Sequence, residues 1–172
     1  MRPGCAVALV LLRPALLALA LVLIPTGDAV ADAETISAVG VAGVFDSSRS
    51  TQTRLEHHFQ DELLPGIRPF VAFGVAGDSA YHFGAGLGWR REMGTDWRIL
   101  IGSGPAIYRR HRGFDLGNEV EFFSFLEVDR QIARGHWLGL RVAHASNASI
   151  GSRNPGREML GIAYTRAWRE TR

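Results

Sequence analysis

Three residues near the end of the chain are spaced so that they could act together. In segment 137–164, Leu138, Leu140, Val142, His144 and Ser146 share one parity, and Glu158, Leu160, Ile162 and Tyr164 share a parity of the next run. If both runs are β-strands, alternate side chains leave the same face, so His144 and Ser146 point the same way. A hairpin closing through the Gly-, Ser-, Asn- and Pro-rich stretch 147–156 brings Glu158 to the same end of that face. A hydroxyl whose proton an imidazole takes, with a carboxylate to orient the imidazole, is the logic of acyl transfer. Alone, His144 reads as an interfacial residue and Ser146 as one serine among many. Their joint placement carries the chemical reading.

The elements that must hold this face are short. From Thr35 onward no apolar run is long enough for a transmembrane helix and no helical period is sustained. Eight alternating runs recur between turn residues, at roughly 35–45, 51–60, 67–77, 79–91, 96–109, 118–130, 136–147 and 157–168. Eight is an even number near the minimum for a closed up-and-down barrel. In the fourth run Tyr81, Phe83, Ala85, Leu87 and Trp89 alternate with His82, Gly84, Gly86, Gly88 and Arg90. Rings at both ends of an aliphatic face suit a strand crossing a bilayer. In the sixth run Val120, Phe122, Leu126 and Val128 oppose Glu119, Glu121, Glu127 and Asp129, and Arg54, Arg68, Arg90, Arg98 and Arg141 lie on the polar faces of other runs. This pattern predicts a charged lumen network without a catalytic role.

Alternation alone fits a soluble lipid-carrying barrel as well as a membrane one. The mixed-sign, Gly-rich polar face, the Trp and Tyr borders and an export leader favour lipid on the apolar side. The fold class expected is all-β, an eight-stranded antiparallel up-and-down transmembrane β-barrel of the outer-membrane type.

That leader is residues 1–33, leaving 34–172 for the barrel. Arg2 and Arg13 precede or flank an apolar run from Ala15 to Ile24, Pro25 and Gly27 break it, and small residues allow cleavage after Ala31 or Ala33. The sole cysteine, Cys5, falls in the leader, so the mature chain has no disulfide and no thiolate chemistry. A net charge of +2 names no partner and gives no reason to expect nucleic acid. All 19 basic residues are arginine, a type suited to bidentate binding of phosphate or carboxylate where it clusters. His57 and His58 lack further ligands at metal spacing, and no phosphate-cradling glycine loop is present. No metal and no cofactor are expected.

With both ends on the periplasmic side, the loops at 46–50, 77–79, 109–117 and 148–156 face outside. His144, Ser146 and Glu158 then meet lipid at the level of the outer-leaflet head groups. Polar groups there are costly, which makes a lipid the expected substrate.

His144-Ala145-Ser146-Asn147 and Asn154-Pro155-Gly156-Arg157-Glu158 resemble the H-x-S-N and N-x-G-x-E pattern of the PagL family of lipid A 3-O-deacylases. The resemblance implies an eight-stranded outer-membrane esterase with Ser146 as nucleophile, His144 as general base and Glu158 as its orienter. It further implies that Asn147 and Asn154 support the oxyanion or the local geometry. The substrate would be lipid A of lipopolysaccharide, cleaved to release a 3-hydroxy fatty acid, and a homo-oligomer is compatible with it. The chain departs from outer-membrane habit in following Trp168 with Arg169, Glu170, Thr171 and Arg172. Arg109, Arg110 and Arg112, in an outside loop, suit the glucosamine phosphates of such a substrate, or else form a solvated tip. The rival function is a non-enzymatic small barrel, structural or adhesive.

Overall fold

A computed structural model of the protein describes residues 33–45 and 48–168. The expected leader, with Cys5 and the residue preceding either cleavage site except Ala33, lies outside them, as do Arg169–Arg172. Eight strands follow one another: β1 (Ala33–Ala42), β2 (Ser50–His58), β3 (Ile67–Ala76), β4 (Tyr81–Met93), β5 (Trp97–Arg109), β6 (Val120–Ala133), β7 (His136–Ser146) and β8 (Arg157–Trp168). Each pairs antiparallel with its sequence neighbours, and β1 pairs with β8 to close the barrel. Closure leaves no sheet edge with unpaired backbone groups, the condition for strands to cross hydrocarbon.

The alternation works as expected. Phe83, Leu140 and Ile162 stand outward and are 58%, 67% and 56% exposed, whereas Ile36, Phe70, Leu100 and Phe125 pack inside. β4 and β6 run on to Met93 and Ala133, past 91 and 130 where the alternation fades, and β6 does so through a register shift between Gln131 and Ala133. The segments at 59–66, 94–96 and 134–135 make one end of the barrel, and those at 43–45 with 48–49, 77–80, 110–119 and 147–156 make the other.

The lumen is filled with paired charge. Arg141 bonds Glu127 at 2.6 Å and Glu56 at 2.7 Å, Glu56 also receives Arg54 at 2.6 Å and His58 at 3.0 Å, and the Arg141 guanidinium lies over the Phe125 ring. Nearer the short turns, Arg98 joins Asp129 at 2.8 Å and Glu34 at 3.1 Å, and Glu34 also holds Arg90. The charges named here are tolerated inside a barrel because each meets an opposite charge with hydrogen-bond geometry, whereas buried Glu121, also expected in this network, has no hydrogen-bond partner at either carboxylate oxygen among the described residues. Glycines make room for the flat side chains between them. A Cβ on Gly74 would fall 2.2 Å from His82, and one on Gly102 would fall 2.4 Å from Phe125.

Two charges expected in this network lie outside it. Glu119 precedes the first residue of β6 and pairs with Arg109 on the long-loop rim, with its side chain 70% exposed. Arg68 sits at the opposite rim, 3.1 Å from Glu62. The backbone N–H of Gly66, with help from Arg68, holds the Glu62 carboxyl below its usual range.

Candidate active site

The outward face of β5 to β8 is a grid whose rows follow from strand register. One row reads Ser103, Ser124, His144 and Glu158 across four consecutive strands. The row toward the short turns is Ile101, Leu126, Val142 and Leu160, and the row toward the long loops is Pro105, Phe122 and Ser146. A polar row therefore crosses an otherwise apolar wall.

His144 and Glu158 face each other directly across the β7–β8 pair, with Nδ1 of the imidazole 3.4 Å from Oε1 of the carboxylate. Both side chains are about half exposed, at 47% and 46%. The separation is longer than a hydrogen bond and short enough to tighten when substrate excludes water. One step beyond the last β7–β8 pair, Gly156 falls opposite Ser146. Gly156 has φ of 65°, and a Cβ there would lie 2.9 Å from Cε1 and 3.5 Å from Nε2 of His144. The imidazole thus lays its Nε2 edge over Gly156, on the Ser146 side, while Nδ1 faces Glu158. Ser146 is half-buried at the end of β7, and its hydroxyl makes no hydrogen bond to His144 in this arrangement. Their i, i+2 spacing sets the Cα atoms roughly 6–7 Å apart.

Asn147 and Asn154 have separate tasks. Asn147 is wholly buried, and its Nδ2 donates to the carbonyls of Leu116 at 2.9 Å and Arg153 at 2.6 Å, which occupies both of its protons. Its Oδ1 accepts from the N–H of Ser149, pinning a turn in which Ala148 and Ser149 both have positive φ. Asn154 accepts the N–H of Asn147 through Oδ1 at 3.0 Å, and its Nδ2 has only a 3.4 Å contact with Ser149. Asn154 accordingly keeps donor capacity for a ligand, and Asn147 keeps none. Arg157, beside Glu158 but turned inward, donates to the Ser48 carbonyl, approaches Asp78 at 3.9 Å and lies over Phe114. It ties three long-end loops to the strand that carries the carboxylate.

A cleft of about 440 Å³ opens on the outer wall at this place, lined by Ser124, His144 and Glu158 and by Phe45, Leu126 and Val142 among others. A second of about 950 Å³ lies among the long loops, and its walls include Arg49, Arg112 and Arg153 together with Asn154 and Pro155. The expected arginine cluster is divided by these contacts. Arg109 pairs with Glu119 and Arg110 with Asp115, whereas Arg112 faces the second cleft without an acidic partner among the described residues. His58 is enclosed in the lumen against Phe70 and His57 faces out beside Phe59, so the two do not converge.

Ser103, Ser124 and Gly156 were not read from the sequence as site residues. Gly156 stood within a motif, but its reason needs the β7–β8 register. The two serines become neighbours of His144 only through the β5–β6–β7 register.

The crystal structure of the outer membrane enzyme PagL is similar to this chain with a TM-score of 0.61 and 20% identity, over 77% of this chain and 98% of that one. Neisserial surface protein A (NspA) is similar with a TM-score of 0.58 and 10% identity, over 79% and 96%. A de novo designed transmembrane β-barrel gives 0.56 and 12%, over 81% and 99%. Among curated protein sequences none matches. The structural likenesses show the small membrane-barrel fold. Residues 66–166 match the model of the family described as lipid A 3-O-deacylase (PagL), which spans more than half of the chain and both parts of the polar row's motif. The chain belongs to the PagL family of lipid A 3-O-deacylases.

Proposed function

We propose that this protein is an outer-membrane esterase that hydrolyses the 3-O-linked acyl chain of lipid A. Ser146 attacks the ester carbonyl, His144 takes the Ser146 proton and returns it to the leaving sugar alkoxide, and Glu158 stabilises the imidazolium. Water, activated by the same imidazole, then cleaves the acyl-enzyme and releases a 3-hydroxy fatty acid. Asn154 Nδ2 offers a hydrogen bond to the developing oxyanion, and Asn147 holds the turn that follows the nucleophile. The long loops face outside, which sets the polar row at the outer-leaflet head groups.

The observation that carries this reading is the His144–Glu158 contact on the lipid-facing wall, above a cleft with apolar sides. Polar groups in that position have no packing purpose. In the loop cleft, Arg112 with Arg49 is disposed to receive the sugar phosphates, while Arg153 beside them is paired with Asp115 at 3.2 Å. Arg109 and Arg110, part of the same basic stretch, contribute only when their acidic partners release them.

Mass spectrometry of lipid A from cells with and without the chain tests the reading. Loss of one 3-hydroxyacyl group, dependent on Ser146, is expected. Identical lipid A in both would instead favour the structural barrel.

A further inference from the structure

The mechanism uses two members of the four-residue polar row and leaves the other two unexplained. Ser103 Oγ and Ser124 Oγ lie 2.8 Å apart on the outer wall, and both residues are exposed toward lipid. A pair of hydroxyls holds two protons and four lone pairs, and one mutual hydrogen bond uses a single proton and a single lone pair. The remainder faces hydrocarbon, where an unmet polar group is expensive. The row beneath, Ile101, Leu126 and Val142, supplies no partner.

Ser124 also lines the apolar cleft together with His144 and Glu158. The cleft continues past it toward Leu126, Val142 and Leu160, in the direction an acyl chain takes when its carbonyl is at Ser146. Ser146 and Ser124 are diagonal neighbours across β6 and β7, roughly 7–8 Å apart at Cα. A nucleophile–carbonyl contact, two chain carbons and one hydrogen bond span that separation. A chain with no polar substituent would leave the free proton of the pair unmet, whereas a hydroxyl two carbons from the carbonyl both donates to the pair and accepts from it.

Resting on the esterase reading above, we propose that Ser124, oriented by Ser103, binds the hydroxyl on the third carbon of the acyl chain and selects 3-hydroxyacyl esters over plain ones. Ser103 is a positioning residue, since it reaches the ligand only through Ser124. The occupant of the cleft is accordingly a hydroxylated acyl chain.

Two synthetic glucosamine esters in detergent micelles test this, one carrying a 3-hydroxyacyl chain and the other the same chain without the hydroxyl. Wild type should favour the hydroxylated ester in kcat/KM by about tenfold or more, because a site built for a hydroxyl rejects its absence. Ser124→Ala should bring the ratio close to one, and Ser124→Thr, which keeps the hydroxyl, should restore most of it. Ser103→Ala should give an intermediate ratio. Turnover of both esters by wild type without preference would overturn the inference, as would an unchanged ratio in Ser124→Ala. Absence of turnover on both esters, or full turnover by Ser146→Ala, would overturn the esterase reading itself. Heat-dependent gel mobility of each variant shows that the barrel has folded.

Discussion

Nδ1 of His144 lies 3.4 Å from Oε1 of Glu158, directly across a strand pair, so the carboxylate meets the imidazole on the side away from Gly156. That placement orders the expected losses in the proposed reaction. His144→Asn should lower kcat/KM by roughly 10²–10⁴-fold, the usual contribution of a general base. Ser146→Ala should fall at least as far, and Glu158→Ala less, because an orienter acts through the base it holds. All three side chains leave the outer face, so the barrel should still assemble. Retention of near-wild-type release of 3-hydroxy fatty acid by Ser146→Ala or His144→Asn would refute the assignment.

Gly156→Ala should damage turnover without touching a reacting group. Its φ of 65° costs a side-chain-bearing residue about 1–2 kcal/mol, and the added Cβ would press on Cε1 of His144 at 2.9 Å. The expected signature is a fall in kcat with a barrel that still shows heat-dependent gel mobility. An active Gly156→Ala variant would mean that the ring moves freely.

The lumen should govern stability separately from the site. Arg141 is 1% exposed and serves both Glu56 and Glu127. Arg141→Met leaves buried Glu127 without its cation, takes one of two arginines from Glu56, and should cost about 3–5 kcal/mol, read from denaturant unfolding in lipid vesicles. Replacing Glu127 by Gln at the same time should recover part of the loss. Equal stability of Arg141→Met and wild type would mean that the network carries no load.

Head-group recognition should divide along the two groups of arginines. Arg49→Gln with Arg112→Gln should raise the apparent KM for phosphorylated lipid A by about tenfold and leave the dephosphorylated form nearly unchanged. Arg109→Gln with Arg110→Gln should do little, since those cations already face Glu119 and Asp115. Losses that ignore the phosphates would point to loop folding.

We expect the mature chain to begin at Asp32. Glu34 is buried and holds Arg90 and Arg98, and cleavage after Ala33 would place a terminal ammonium on that residue. Amino-terminal sequencing decides between the two sites. An unprocessed start would contradict both.

Strand alternation made the barrel legible, because a residue's parity alone states which side of the wall it faces. Phe83, Leu87 and Leu140 stand outward and Arg98, Glu127 and Asp129 inward for that reason. His144 and Glu158 were legible by the same rule, as their meeting needs only parity and one hairpin. Glu119 was misplaced because parity cannot say where pairing begins: β6 starts at Val120, two residues after the expected 118, and the Glu119 carboxylate lies outside the lumen with Arg109. The sequence also did not separate Asn147 from Asn154, since their difference lies in the carbonyl of Leu116, 31 residues from Asn147, and in that of Arg153 across the turn. Ser103 and Ser124 meet across 21 residues, and no local pattern announces such a pair.

The sideways opening of His144 and Glu158 makes encounter two-dimensional on the proposed reading. A lipid already in the leaflet arrives by lateral diffusion, so the concentration that sets the rate is molecules per unit area. Bulk dilution leaves that number untouched, while added inert lipid lowers it. The released fatty acid starts in the same plane as unreacted substrate, so its crowding around the wall slows turnover until it disperses.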